Sequence, residues 1–177
     1  MDYLGNECNG LSNCTIQLDA QYLHSCKNYS NYLSIAYECL NRDNQIDVCS
    51  NSILESSEGF ILKTPNYPNE YDNNLRNCTC NVELAQNHDA NDRKLSLKFE
   101  LLEYDVEEGE ANAIELCNKD RMTISELKTN QTRKLLCGQH KEFKEFNLAS
   151  TGLTINFTTD DSISRRGFLM RIKSING

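Results

Sequence analysis

The sequence predicts a mainly β protein, built as an antiparallel β-sandwich and cross-linked by disulfide bonds. From about residue 49 onward, short runs of alternating apolar and polar residues recur, as half-buried strands require. Clusters of turn-forming residues separate these runs. Nine of the 177 residues are cysteines, a density typical of small secreted domains whose thiols are oxidised.

The chain divides into three segments of different composition. Residues 1–41 hold four cysteines and no proline, and they predict a small disulfide-bonded unit. Residues 42–48 are polar and are predicted to be a linker. Residues 49–175 carry the strand-like runs and are predicted to form the sandwich.

The strand elements follow one another in a regular order. Residues 59–63 form a short apolar run that leads into a turn cluster at 64–69. Three later runs place apolar residues on one face: Leu95, Leu97 and Phe99; Leu153, Ile155 and Phe157; Phe168, Met170 and Ile172. Residues 124–135 contain good helix formers without a clear helical period, so helix and strand both remain open there.

Charge and motifs exclude several classes of function. The net charge of −8 argues against a nucleic-acid partner. No stretch approaches the ~20 apolar residues of a membrane span. The zinc-protease, nucleotide-binding and serine-hydrolase motifs are absent, and the three histidines lie in unrelated contexts. We therefore expect a binding protein and not an enzyme.

Sequons for N-glycosylation indicate passage through the secretory pathway. There are five: Asn13, Asn28, Asn77, Asn130 and Asn156. The first residues lack the basic and apolar regions of a signal peptide, so we expect Met1 to lie inside a longer protein. The expected location is secreted or on the extracellular face of a cell.

One ordered set of motifs resembles the CUB domain family. Residues 59–78 read G-F-I-L-K-T-P-N-Y-P-N-E-Y-D-N-N-L-R-N-C, which is similar to the opening of that domain. The remaining matches follow in order: Cys49 upstream, F-x-x-L at 99–102, C-x-x-D at 117–120, L-C-G at 136–138, F-x-x-D-x-S at 157–162 and G-F at 167–168. This resemblance covers residues 49–175 and implies a CUB-type, jelly-roll-like sandwich that acts as an extracellular protein-interaction module.

A second resemblance concerns residues 1–41. The sequences C-N-G-L-S-N-C at 8–14 and S-C-K-N-Y-S-N-Y-L-S-I-A-Y-E-C at 25–39 are similar to the C-terminal part of a galactose/rhamnose-binding (SUEL-type) lectin domain. His24 and Ser25 stand where that family has D-P, and Asn31 stands where it has lysine. The resemblance implies a partial lectin domain, and with it a glycan as an alternative partner.

The two resemblances together imply three disulfide bonds: Cys49–Cys78, Cys117–Cys137 and Cys8–Cys14. In the chain-entropy model each of the two larger loops stabilises the fold by about 3–4 kcal/mol. Cys26 and Cys39 either bridge each other or stay free. Cys80 shares strand parity with Cys78 and Val82, so it is a buried apolar residue, or else an alternative partner for Cys49 or a redox thiol.

The CUB resemblance also implies a Ca²⁺ site at one end of the sandwich. Its ligands are expected to be Asp105, Asp120 and Asp160, with Glu107 available as a substitute for Asp105. Carboxylates left over at that end are expected to receive a lysine or arginine of an extracellular partner protein. The competing interpretations are a solvated acidic loop without an ion, a carbohydrate-binding protein, and an accessory domain of a secreted protease.

Overall fold

A computed structural model describes residues 8–15, 35, 37–55, 59–76, 78–83, 96–109, 117–140, 144–150 and 152–175. These residues form eleven strands: β1 Gln45–Asp47, β2 Ile53–Glu55, β3 Phe60–Lys63, β4 Cys78–Glu83, β5 Ser96–Asp105, β6 Arg121–Glu126, β7 Thr132–Leu136, β8 Gln139–His140, β9 Lys144–Ala149, β10 Gly152–Thr158 and β11 Gly167–Ile175. The predicted mainly β fold is confirmed.

The strands are arranged in two sheets. The first sheet has the order β1-β3-β11-β5-β8, and β9 also pairs with β5. The second sheet has the order β2-β4-β10-β6-β7. The β1–β3 and β2–β4 pairs are parallel, and all other pairs are antiparallel. Two sheets of this kind form a sandwich whose core lies between their inner faces.

The core is built from the alternating apolar residues of the long strands. Ile155 and Phe157 of β10 and Phe168 and Met170 of β11 are completely buried. The rings of Phe157 and Phe168 meet edge to face across the sandwich, with centroids 5.5 Å apart. Burial of each such side chain contributes about 1.5–3 kcal/mol, so these strands supply much of the stability.

Residues 124–135, where the sequence left helix and strand open, belong to the β6–β7 hairpin. Strand β6 buries Met122 and Ile124 on one face and pairs along its length with β10. Asn130 lies near the tip of the hairpin with a left-handed backbone angle, φ of 55°. The period-two burial of β6 and its pairing with a central strand therefore favour the extended form.

A β-bulge interrupts strand β5 and reverses its alternation. Leu101 pairs with Met170 and Glu103 with Leu169, so Leu102 is the extra residue. Before the bulge, odd-numbered residues such as Phe99 face the core. After it, the even-numbered residue Tyr104 is buried, and Asp105 is directed away from the core.

Disulfide bonds join Cys8 to Cys14, Cys49 to Cys78 and Cys117 to Cys137. Among the described residues, two cysteines are unpaired, Cys39 on the surface and Cys80 in the core. Burial raises the pKa of the Cys80 thiol to about 11, which keeps it protonated and unreactive at neutral pH. This environment favours the buried apolar role for Cys80. Cys26 lies outside the described residues.

The loop closed by Cys8 and Cys14 contacts the outer face of the first sheet. Three side chains connect this loop to the sandwich and are here called the clamp: Tyr67, Glu103 and Arg166. The Tyr67 hydroxyl donates to Glu103 (2.6 Å), and Arg166 forms an ion pair with Glu103 (2.9 Å). Arg166 also donates to the carbonyl oxygen of Asn9 (3.2 Å), which ties the loop to the sandwich.

Residues 42–48, predicted as a linker, are part of this same architecture. Arg42–Asn44 form a 3-10 turn that Asn41 caps by accepting from the Asp43 backbone N–H. Strand β1 follows at once and pairs with β3 at the edge of the first sheet. The structure therefore places the second half of this segment inside the sheet.

Candidate metal centre

Three carboxylates meet at one end of the sandwich: Glu107, Asp120 and Asp160. Each offers an oxygen atom, and these oxygen atoms lie within 4.8 Å of one another. Glu107 follows the end of β5, Asp120 directly precedes β6, and Asp160 follows the end of β10. Because β6 runs antiparallel to β10, the start of one and the end of the other lie at the same end of the fold. We call these three residues the acidic cluster.

Asp120 is the innermost member of the acidic cluster and is completely buried. Its Oδ2 accepts a hydrogen bond from the Tyr71 hydroxyl (2.5 Å), and its Oδ1 accepts from the Asp160 backbone N–H (2.8 Å). Burial raises the pKa of the Asp120 carboxyl in spite of these two donors, and the nearby charges of Glu107 and Asp160 act in the same direction. The negative charge of Asp120 is therefore incompletely compensated by the protein.

Tyr71 connects two members of the cluster through one hydroxyl group. Its oxygen donates to Asp120 and accepts from the backbone N–H of Glu107 (3.2 Å). Its ring packs edge to face against Phe157, with centroids 5.2 Å apart. Burial raises the pKa of Tyr71, so the hydroxyl stays protonated and keeps its role as donor.

Asp160 lies nearer the surface and has polar partners of its own. Its Oδ1 accepts from the backbone N–H (2.8 Å) and the hydroxyl (2.5 Å) of Ser162, and its Oδ2 pairs with the Lys119 ammonium (3.1 Å). The hydrogen bond from the Ser162 hydroxyl is the largest influence that lowers the pKa of Asp160, and Lys119 adds to it. The Ser162 hydroxyl also lies 2.9 Å from an oxygen of Glu107.

Asp105, the third residue expected at this site, lies outside the acidic cluster. Its Oδ1 accepts a hydrogen bond from the side-chain amide of Gln139 on the neighbouring strand β8 (2.7 Å). Asp105 is the last residue of β5 and is directed away from the core after the bulge, whereas Glu107 lies beyond the end of the strand, in the loop that reaches the cluster. The structure brings Asp120 and Asp160 together with Glu107, the substitute that the sequence offered.

The chemistry of the acidic cluster fits a hard divalent cation. All of its side-chain donors are oxygen atoms, which Ca²⁺ and Mg²⁺ prefer, whereas zinc sites are built mainly from histidine and cysteine. The ligand oxygens come from three separate loops, an arrangement that suits the flexible coordination of Ca²⁺. The raised pKa of Asp120 also indicates a negative charge that a cation can compensate.

The sequons fall into three groups in the structure. Asn13 and Asn130 are exposed. Asn156 is half-buried on β10, where its amide oxygen accepts from the Thr79 hydroxyl of β4 (2.7 Å). Asn28 and Asn77 lie outside the described residues. Glycosylation at these positions stays a prediction, and among the three described sequons the two exposed asparagines are the most accessible acceptors.

Comparison with protein-family models finds the CUB domain at residues 49–172. Among curated proteins, the Cubilin homolog of Drosophila melanogaster is 27% identical over an alignment of 113 residues, with 61% of this chain and 3% of that protein covered. The chain therefore spans only a small part of this relative. The family match does not include residues 1–41, so the lectin-like segment stays a prediction.

Solved structures show the same fold at low sequence identity. The extracellular region of zebrafish Gpr126/Adgrg6 matches with a TM-score of 0.57 at 19% identity, covering 73% of this chain and 15% of that one. The MASP-1 CUB2 domain, solved bound to Ca²⁺, matches with a TM-score of 0.55 at 19% identity, covering 71% and 99%. The CUB1-EGF-CUB2 region of human MASP-1/3 matches with a TM-score of 0.56 at 19% identity, covering 92% and 59%.

Within the described part of the chain, no helix has both the length and the apolar character that crossing a bilayer demands.

Proposed function

This chain belongs to the CUB domain family, whose members are typically non-catalytic, extracellular protein-interaction modules, and from this premise we propose a calcium-dependent binding role for its acidic end. Glu107, Asp120 and Asp160 hold Ca²⁺, and the ion orders the loops that carry them. The ordered end then receives a lysine or arginine side chain of a partner protein. The disulfide bonds favour a secreted or cell-surface location for this activity.

The observation that carries the proposal is the convergence of three carboxylates around the buried Asp120. Without a cation, these groups repel one another in a partly desolvated place. Ca²⁺ neutralises two of the charges and leaves the exposed carboxylates at the rim, Glu108 and Asp161, available to a basic partner. The Ca²⁺-bound MASP-1 CUB2 domain, which shares the fold, supports a calcium site in this family.

Thermal unfolding with and without calcium tests the proposal. Addition of millimolar Ca²⁺ to the metal-free protein is expected to stabilise it by about 1–2 kcal/mol, and chelation is expected to reverse the gain. Asp120→Asn keeps the size of the side chain and is expected to abolish the response. Glu107→Gln is expected to weaken it strongly.

Asp105→Asn is the matched control, because this carboxylate lies at the end of strand β5 and accepts a hydrogen bond from Gln139, outside the acidic cluster. It is expected to leave the calcium response unchanged. An unmoved melting curve in the wild type contradicts the calcium site. Loss of the response in Asp105→Asn with retention in Glu107→Gln contradicts the ligand set.

A further inference from the structure

We propose that Lys119 is a built-in cation of the acidic cluster that limits its affinity for calcium. This inference rests on the proposed function and extends it by naming the residue that tunes the site. Lys119 directly precedes Asp120, and its ammonium pairs with the outer oxygen of Asp160 (3.1 Å). The two side chains are 27% and 30% exposed, so the pair lies at the rim of the cluster, on the side open to solvent.

The charges of the described groups explain why this position matters. Three ionised carboxylates carry −3, and Lys119 reduces the total to −2. A bound divalent ion then brings the cluster to neutrality. In the metal-free protein, Lys119 relieves part of the repulsion among the carboxylates, and in the metal-bound protein the same ammonium repels the ion.

The surrounding fold keeps Lys119 close to the cluster. The loop that carries it is bounded by the Cys117–Cys137 disulfide on one side and by strand β6 on the other. A flexible lysine side chain can leave Asp160, but its backbone cannot move far. The Lys119 ammonium therefore stays close to any cation that the acidic cluster binds.

Isothermal titration calorimetry with Ca²⁺ alone, together with thermal unfolding of the metal-free protein, tests this role. Lys119→Met keeps the side-chain length and removes the charge. It is expected to tighten calcium binding by roughly fivefold, because removal of the ammonium removes its repulsion of the divalent ion, and after solvent screening this repulsion changes the binding constant by about that factor. The same variant is expected to lower the melting temperature of the metal-free protein.

Two controls separate the effect of the Lys119 charge at the cluster from the effect of net charge and from that of substituting the side chain. Lys128→Met makes the same change of charge on an exposed turn and is expected to leave both readouts unchanged. Lys119→Arg keeps the positive charge and is expected to behave as the wild type. If Lys119→Met does not fold, Lys119→Gln carries the same two expectations.

The outcomes distinguish the two proposals. Calcium binding by the wild type with equal or weaker binding by Lys119→Met overturns the role of Lys119 and leaves the calcium site standing. Absence of calcium binding in both proteins overturns the calcium site and the role of Lys119 with it. Tighter binding together with lower metal-free stability supports both.

Discussion

At the scale of single residues, Tyr71 is the side chain on which the geometry of the acidic cluster depends. Its hydroxyl contacts the buried Asp120 carboxylate and the backbone of Glu107, while its ring is held by the core residue Phe157. A buried carboxylate requires several donors, because an unsatisfied charge in the interior is costly. Tyr71 therefore joins the hydrophobic core to the charged end of the sandwich.

Removal of that hydroxyl is expected to destabilise the metal-free protein. Tyr71→Phe keeps the ring contact and deletes one of the two donors to Asp120, so the free energy of unfolding should fall by about 1.5–3 kcal/mol. Urea unfolding in the presence of a chelator measures the change. In the Asp120→Asn background the same substitution should cost less, because no buried charge is left without its donor. Equal costs in the two backgrounds contradict this role of Tyr71.

The choice between Asp105 and Glu107 shows what the sequence could not reveal at this scale. The CUB resemblance implied Asp105 as a ligand and offered Glu107 as its substitute. The two residues have the same strand parity, so the bulge at Leu102 does not decide between them. The path of the chain after β5 decides, because it brings the backbone N–H of Glu107 to the Tyr71 hydroxyl, a contact between segments far apart in the sequence. Asp120 and Asp160 were easier to predict, because each lies close to a short motif with its own cysteine or phenylalanine.

At the scale of structural elements, the clamp joins the N-terminal disulfide loop to the sandwich. Tyr67 and Arg166 come from two loops, and Glu103 comes from the bulged part of β5. Burial is the main influence that raises the pKa of Glu103, and the donors Tyr67 and Arg166 oppose this effect. Gly10 lies against the Tyr67 ring with φ of +79°, a conformation that favours glycine.

Gly10→Ala is expected to detach the loop without unfolding the sandwich. An added Cβ atom would lie 2.5 Å from a ring carbon of Tyr67, and the backbone angle would be strained as well. Hydrogen exchange at residues 8–15 should accelerate, whereas the core strands β10 and β11 should keep their protection. Leu11→Ala, at an exposed position of the same loop, is the control and should have little effect. Unchanged exchange in Gly10→Ala contradicts the contact.

At the scale of the whole molecule, the sandwich could be predicted because its signals are local and repeated. The alternation in residues 153–157 and 168–172 requires only a period of two, and the structure buries the expected faces. The structural role of residues 42–48 was missed, because a polar three-residue strand at the edge of a sheet has no apolar pattern. The contacts of the N-terminal loop with the sandwich were missed too, because a hydrogen bond and packing between segments far apart in the sequence produce no periodic pattern.

A network of charges on the outer face of the first sheet connects strands β5 and β11 with Glu38 of the N-terminal segment. Its centre is Glu100, whose side chain is 9% exposed and pairs with Lys98 (3.2 Å), Arg171 (3.1 Å) and Lys173 (3.4 Å). Arg171 also pairs with Glu38, which precedes the first strand. Burial acts to raise the pKa of Glu100, but the three cations outweigh it and hold the pKa below the ordinary value of 4.5.

This shift predicts how stability depends on pH. A carboxyl whose pKa is lower in the folded state stabilises the protein above its ordinary pKa of 4.5, and the contribution is lost as the pH falls through the lowered value. Glu100→Gln is therefore expected to reduce the free energy of unfolding by about 1 kcal/mol near pH 7, since its partners are partly exposed. The difference from the wild type should shrink as the pH falls below 4.5.

Urea unfolding of both proteins in a chelator, from about pH 7 down to about pH 3.5, measures this difference. Glu145→Gln is the matched control, because Glu145 is 54% exposed and contacts Lys98 from the edge strand β9. That substitution should change stability by less than about 0.5 kcal/mol at every pH. A Glu100→Gln deficit that stays constant across the range contradicts the ionic origin, because a loss of packing alone does not depend on the protonation of the carboxyl.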